Sequence, residues 1–391
     1  MRFLFVLNGY PPAKKAGMEN AAERLARALV KCGHPTTVLT ASSADLPVDR
    51  MEHGVRVLRV IKPLAFGPLW GLTYMRQTAK WLRKLKNDWD FVLCHELYLH
   101  SIMAARVARE LGKPSATLLV NAGDYSDLIM LRSHKGGKWL VRESLKMDSF
   151  FTLSRLSERE LIEKGVPIAR IESYRNFVDM EEFSPSQEAS HNPNEFLYLG
   201  RFRKQKNLPL LIEAFSAVWK VRPHARLRVI GNGVERDTVE KAIARSPARD
   251  AITLEEWTDN PVQEFRRSLA TVTATHAEGL SNVLVETLSC GTPAITTDVS
   301  GVRDTLDPEG KAPEPIPAGE FFQGIGGLIV PTGDPEALTD AMLRLLDDAS
   351  LREDLAIQAR QHASRSYCEE TCVGDFLRAA ERISRRVTSS S

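Results

Sequence analysis

The chain has 391 residues, more than the roughly 250–300 that one hydrophobic core organises, so two domains are expected. Hydrophobic residues make up 43% and charged residues 26%, an ordinary globular composition that excludes a disordered or membrane-embedded chain. Lys and Arg (52) barely outnumber Asp and Glu (50), so no whole-molecule field favours nucleic acid, and any anion site must be local.

Five cysteines (Cys32, Cys94, Cys290, Cys368 and Cys372) are odd in number, and their one close pair lacks a common zinc spacing. They are expected as reduced thiols. The opening MRFLFVLNG is too short for a signal peptide, and no apolar run reaches the roughly 18 residues of a membrane span, so the cytoplasm is the expected compartment.

Short β-branched or aromatic runs alternate with helical patterns, the signature of a parallel sheet covered on both faces. A strand over Arg2 to Asn8, a helix over Met18 to Cys32 and a strand over Thr36 to Thr40 open a first unit. Further strands are predicted at Val55 to Ile61, Asp90 to Cys94, Ala116 to Val120 and Ser149 to Leu153. The polar, proline-bearing stretch Ser184 to Asn194 suits a linker. A second unit then begins: strand Glu195 to Leu199, helix Leu208 to Val221, strand Arg226 to Ile230, helix Val234 to Ala244, strand Ala251 to Leu254, helix Val262 to Ser268 and strand Ala270 to Thr275. Helices at Pro335 to Asp348, Leu351 to Ser364 and Cys368 to Arg385 end it. The expected fold class is α/β, with domains at 1–184 and 185–365 and a final helix in 366–391 packing back on the first. Ligands of such sheets bind at the carboxyl ends of the strands, here in a crevice between the two units.

Two turns carry the chemistry. His276 to Gly291 (HAEGLSNVLVETLSCG) sets Glu278 and Glu286 eight positions apart, with the small-residue turn Gly279 to Asn282 between them. Ser281 or Asn282 caps a helix from Val283, and backbone N–H groups at a helix start make an anion site suited to a diphosphate. The apolar helix is expected to be buried, so Glu286 needs a donor, either a ribose diol or a neighbouring Arg. Gly200-Arg201-Phe202-Arg203-Lys204-Gln205-Lys206-Asn207 follows another strand. Its guanidinium and ammonium groups suit a diphosphate leaving group, although alone it reads equally as a solvated basic turn.

In these motifs the chain resembles the group 1 (family 4) glycosyltransferases of GT-B fold over nearly its full length. The matches are Tyr10-Pro-Pro with Ala16-Gly17, Cys32-Gly33-His34, Asp90 to His95, Asn176-Phe-Val-Asp179, Gly200-Arg201 with Lys206, Gly231-Asn-Gly233, and Glu278-Gly279 through Glu286. The resemblance implies that Arg201 and Lys206 hold a donor diphosphate and Glu286 its ribose. Glu278 with Gly279, Leu280, Ser281 and Asn282 would hold the donor sugar, beside Gly200. Gly17 would let the first domain approach the phosphate. Transfer would retain anomeric configuration and need neither metal nor cofactor, the nucleotide-sugar being a substrate and a glycan, lipid-linked or small-molecule hydroxyl the acceptor. The product class is glycan, polysaccharide or glycolipid.

The chain departs from the pattern at Ala16-Gly17, Asn176-Phe177 and Ser300 to Asp304, and Asn121-Ala122-Gly123-Asp124 stands where a histidine is usual. His95, beside Glu96, becomes the histidine candidate for catalysis, with Asn121 and Asp124 as candidate hydroxyl ligands. Ile61 to Trp89 mixes tryptophans with basic residues, reading either as a helix packed on the sheet through Met75, Trp81, Leu82 and Leu85 or as a peripheral contact with the inner membrane face. Arg132 to Lys138 reads as a mobile loop, and Trp257 as a base-flanking or core residue. A non-catalytic nucleotide-sugar-binding protein is the alternative reading; a dinucleotide-dependent oxidoreductase is disfavoured because the first βα turn lacks G-x-G-x-x-G.

Overall fold

The computed structural model describes residues 1–14, 17–64, 67–185 and 192–390; Ala16 and most of the expected linker, residues 186–191, lie outside them. The chain divides into two compact units, Met1–Phe177 with Glu369–Ser391, and Val178–Cys368.

Among the described residues the first unit holds one eight-stranded sheet. Its strands are β1 (Phe3–Val6), β2 (Thr36–Ala41), β3 (Asp49–Glu52), β4 (Val55–Ile61), β5 (Phe91–His95), β6 (Ser115–Leu119), β7 (Ser149–Thr152) and β8 (Ile171–Ser173), in the order 3-4-2-1-5-6-7-8. Only β3 runs antiparallel, paired to β4. The central strands are apolar on both faces because helices cover both. Those helices are α1 (Gly17–Lys31), α2 (Gly67–Lys84), α3 (Leu99–Glu110), α4 (Asp127–Arg132), α5 (Gly137–Ser144) and α6 (Arg155–Glu163). In α1, Ala21, Ala22, Leu25, Ala26, Ala28 and Leu29 form one buried stripe. Gly33, at φ +81°, ends the helix as only glycine does cheaply, and the His34 N–H returns to the Leu29 carbonyl.

The second unit, again among the described residues, has a seven-stranded sheet. It comprises β9 (Asn192–Leu199), β10 (Arg226–Ile230), β11 (Ile252–Glu255), β12 (Ser268–Val272), β13 (Ala294–Thr297), β14 (Phe322–Gly324) and β15 (Gly327–Val330), ordered 11-10-9-12-13-15-14. Only β14 is antiparallel. The helices are α7 (Leu208–Val221), α8 (Arg236–Arg245), α9 (Pro261–Arg267), α10 (Asn282–Ser289), α11 (Ser300–Leu306), α12 (Pro335–Asp347) and α13 (Ala349–Ser366). One core gathers Phe196, Phe215, Val229 and Leu345 among others; a smaller one joins α10, α11 and α13 through Leu288, Leu306 and Ala359.

The division falls at 177/178 rather than 184/185. The Val178 N–H donates to the Tyr367 carbonyl, the Arg360 guanidinium donates to the carbonyls of Met180 and Phe183, and Arg266 donates to those of Glu182 and Ser184, so residues 178–184 are held by α9, α13 and Tyr367. The final helix, α14 (Glu369–Ser390), is part of the first unit: Phe376 packs between Phe3, Phe151 and Tyr174, and Arg382 and Arg386 pair with Glu172.

The expected loop Arg132 to Lys138 is the short turn at residues 133–136 that joins α4 to α5. A Cβ on Gly137 would stand 1.9 Å from the Arg132 carbonyl oxygen, which fixes a close turn. Of the Ile61 to Trp89 segment, α2 buries Leu82 and packs Met75 and Trp81, leaning on α3 and with less contact on β4. Leu85 and Trp89, just beyond it, are buried too.

Candidate active site

In the second sheet the chain winds outward in opposite directions from the neighbours β9 and β12, the point at which an open α/β sheet leaves room at its carboxyl ends. Both predicted turns leave from there. The Gly200 N–H donates to the Ile230 carbonyl at 3.0 Å and the Phe202 N–H to the Asn232 carbonyl at 2.9 Å, zipping the basic turn onto Gly231 to Gly233. A Cβ on Gly231 would lie 1.9 Å from the Gly200 oxygen, and one on Gly233 2.3 Å from the Phe202 oxygen; only glycines permit this approach. Phe202 is fully buried and anchors the turn, leaving Arg201 half-buried beside it.

Lys206 closes a short 3₁₀ turn before Asn207, whose left-handed backbone (φ +46°) opens α7. Its Nζ stands 2.5 Å from Glu278 Oε2, with both side chains largely buried at 16% and 24% exposure. The His276 N–H also donates to the Gln205 carbonyl at 2.8 Å. Two turns separated by 72 residues are thus tied by an ion pair and a backbone bond. Beneath Glu278 lies the buried Tyr198, whose hydroxyl donates to the Arg201 carbonyl; burial and then the Glu278 charge raise its pKa.

Ser281 caps α10, its Oγ accepting the Leu284 N–H at 3.3 Å, and Asn282 is the helix's first residue. The turn ahead of it is fixed from α11: a Cβ on Gly301 would fall 1.7 Å from the Gly279 oxygen, and Leu280 is buried. Arg303 chelates Asp298 at 2.5 and 2.6 Å and reaches the Pro313 carbonyl, so the Ser300 to Asp304 departure still supplies a rigid support. Glu286 is half-buried at the margin of the buried face of α10, so burial alone does not impose a ligand on it as the sequence suggested.

The first sheet has its own reversal between β1 and β5. Gly17 starts α1 after β1. His95, at the end of β5, is only 1% exposed, with its ring 4.9 Å from that of Phe5. Burial and then the neighbouring His100 push its pKa down to about 3, so the ring is neutral, and both its nitrogens are buried without a hydrogen-bond partner among the described residues. Asn121 serves Asp127: its Nδ2 and backbone N–H both donate to Asp127 Oδ1, while Val120 and Leu97 donate to Oδ2. Asp124 sits apart, exposed, in the 3₁₀ turn Gly123–Tyr125. Trp257 is 53% exposed and not in the core.

Two residues here were not predicted as functional. Asp127 is buried and ties the ends of β5 and β6 together; its signal was a Ser-Asp pair before an apolar run. Glu96 holds a left-handed backbone (φ +77°) that non-glycine residues rarely adopt. Burial, then Asp127, lift its pKa to about 7, with Lys14 opposing. Lys14 is itself 2.5 Å from the buried Glu19.

The family model described as Glycosyl transferases group 1 matches residues 179–362, and that described as Glycosyltransferase Family 4 matches residues 16–182. The chain belongs to the group 1 glycosyltransferases. It is 26% identical to a glycogen synthase of Mycobacterium tuberculosis over 95% of this chain and 92% of that protein. It is also 22% identical to N-acetyl-alpha-D-glucosaminyl L-malate synthase of Bacillus anthracis, over 74% of each. In fold it matches sucrose-phosphate synthase from Thermosynechococcus elongatus over all of both chains, with a TM-score of 0.80 at 18% identity. Anabaena HepE in complex with UDP and glucose matches over 97% of this chain and 99% of its own, with a TM-score of 0.77 at 15% identity. The architecture is accordingly the two-domain α/β GT-B fold.

Proposed function

We propose that this glycosyltransferase moves a sugar from a nucleoside diphosphate to a hydroxyl acceptor with retention of anomeric configuration and without a divalent ion. The observation that carries the reading is the Lys206–Glu278 pair at the switch point of the second sheet, next to the capped start of α10. Arg201, Lys206 and the helix start supply positive charge where a departing diphosphate accumulates negative charge, which is the work a metal would otherwise do. Glu278 neutralises Lys206 until the diphosphate arrives and then turns to a sugar hydroxyl; Glu286, one turn along α10, takes the ribose. The acceptor hydroxyl belongs to a glycan, lipid-linked or small molecule in glycan synthesis, and the compartment is the cytoplasm. Among the described residues no helix is long and apolar enough to cross a membrane. Peripheral membrane contact would use the exposed Leu69 and Leu72 in the first turns of α2.

The test is thermal stability with and without UDP in EDTA, uridine being tried first because HepE was solved with it. At a hundredfold excess over Kd the gain should be about 2.7 kcal/mol. Loss of the shift on adding EDTA, or no shift with uridine, guanosine or adenosine diphosphate, rejects the reading. The anomeric proton coupling of the product checks retention, and donor turnover separates transfer from mere binding.

A further inference from the structure

At the amino ends of β6 and β7, away from the turns that follow β1, β5 and β6, the first unit has an open surface cleft of about 510 Å³. Arg109, Lys113, Lys146, Arg170 and Arg386 line it, and Asp148 is the one carboxylate among the lining residues. Asp148 is already engaged, accepting from the Ser115 N–H and Oγ at 2.9 and 2.6 Å.

What holds the cations in place is mainly backbone oxygen. Lys113 Nζ donates to the Trp89 carbonyl at 2.6 Å and to that of Lys86, and lies over the Trp89 ring. Arg109 donates to the Lys146 carbonyl at 2.9 Å. Arg170 fans across the carbonyls of Leu145, Met147 and Asp148 with its guanidinium over the Phe150 ring. Carbonyls orient a cation without cancelling its charge. Among the described residues Lys146 pairs with Glu143 and Arg386 with Glu172, while Asp90 and Asp88 act on Lys113, and Asp148 on Arg170, through space. Burial lowers the pKa of Arg170; Arg109 and Arg386 add to that by repulsion, while Asp148 opposes them. Like charges crowded in one cleft of small-molecule size favour an anion among them.

We propose that this cleft binds a phosphate-bearing anion through Arg109, Lys113 and Arg170, with α14 forming one wall through Arg386. The volume exceeds that of one phosphate group, which points to a diphosphate, a phosphorylated metabolite or a phospholipid headgroup, all sharing the same chemistry. The site does not rest on the sugar-transfer reading, and binding there ties α14 to the sheet.

The test is amide hydrogen exchange on the full chain with inorganic pyrophosphate, which reads each segment separately and so is not confused by binding near Lys206. Residues 109–115 and 383–387 should gain protection. The double variant Arg109→Gln/Lys113→Gln removes two of the three proposed ligands and leaves Arg170 in place; it should raise the pyrophosphate Kd for these segments by about tenfold or more. Sedimentation with phosphatidylglycerol vesicles, against phosphatidylcholine vesicles, separates the sources. Binding that pyrophosphate displaces identifies a headgroup, and pyrophosphate protection without vesicle binding identifies a free anion; either supports the site. No protection of these segments by pyrophosphate or by phosphatidylglycerol, or equal protection in the double variant, overturns it.

Discussion

Glu278 competes with any incoming phosphate for Lys206, because a carboxylate 2.5 Å from the ammonium must be displaced before an anion takes its place. Removing that charge has opposite effects on binding and turnover. Glu278→Gln should tighten UDP binding by about two- to fivefold, the scale of a partly exposed ion pair, while lowering transfer. Calorimetry beside turnover measures both, and weaker UDP binding would contradict the arrangement. Glu96 gives the residue-scale pH signature. Its folded pKa of about 7 lies above its unfolded value, so the folded state holds the proton more tightly. Its contribution to stability is complete below the unfolded pKa and is lost as pH rises towards about 7, remaining lost above that. Denaturation midpoints should show wild type losing stability relative to Glu96→Gln between about pH 4.5 and pH 7, and parallel curves would refute the assignment. Neither effect was legible in the sequence: Lys206 and Glu278 belong to separate motifs, and the burial around Glu96 comes from strands far apart in the chain.

At the scale of elements, what was legible followed periodicity. The apolar stripe of α1 placed that helix within a residue at each end, and the continuous apolar strands at the centre of each sheet were found because both their faces are buried. The missed strands are of two kinds: β3, β8 and β14 lie at sheet edges, and β3 reads DRME, mostly exposed, with no alternation to detect, whereas β13 (AITT) and β15 (GLIV) are buried inside the second sheet but only four residues long. The basic and glycine-rich composition of Arg132 to Lys138 concealed a close approach of backbones that only the position of Gly137 reveals. Such contacts also fix the site. Gly301→Ala drives a methyl into the Gly279 carbonyl and should displace the start of α10, abolishing UDP binding while unit 1 stays folded. Ser281→Ala removes one cap bond and should cost only about 1 kcal/mol in the second unit, read by urea denaturation.

On the scale of the whole molecule, the sequence indicated two units and a returning helix, but not where the chain crosses. That is set by Arg360 and Tyr367, which hold residues 178–183 to the second unit. The helix α14 buries Val373, Phe376, Ala379, Ala380 and Ile383 in the first unit. Deleting residues 369–391 uncovers Phe3, Phe151 and Tyr174 and should cost that unit about 5 kcal/mol or more, comparable with the stability of a domain. Limited proteolysis should then degrade residues 1–177 while 178–368 resists; equal resistance of both would show that α14 is dispensable.

The same discontinuity orders events during synthesis. A ribosome delivers residues 1–177 first, yet their sheet lacks one covering helix until residues 369–391 have emerged, by which time the whole of 178–368 has been made. The segment translated earliest is therefore completed last, and its uncovered aromatic face is the surface a nascent-chain chaperone would meet.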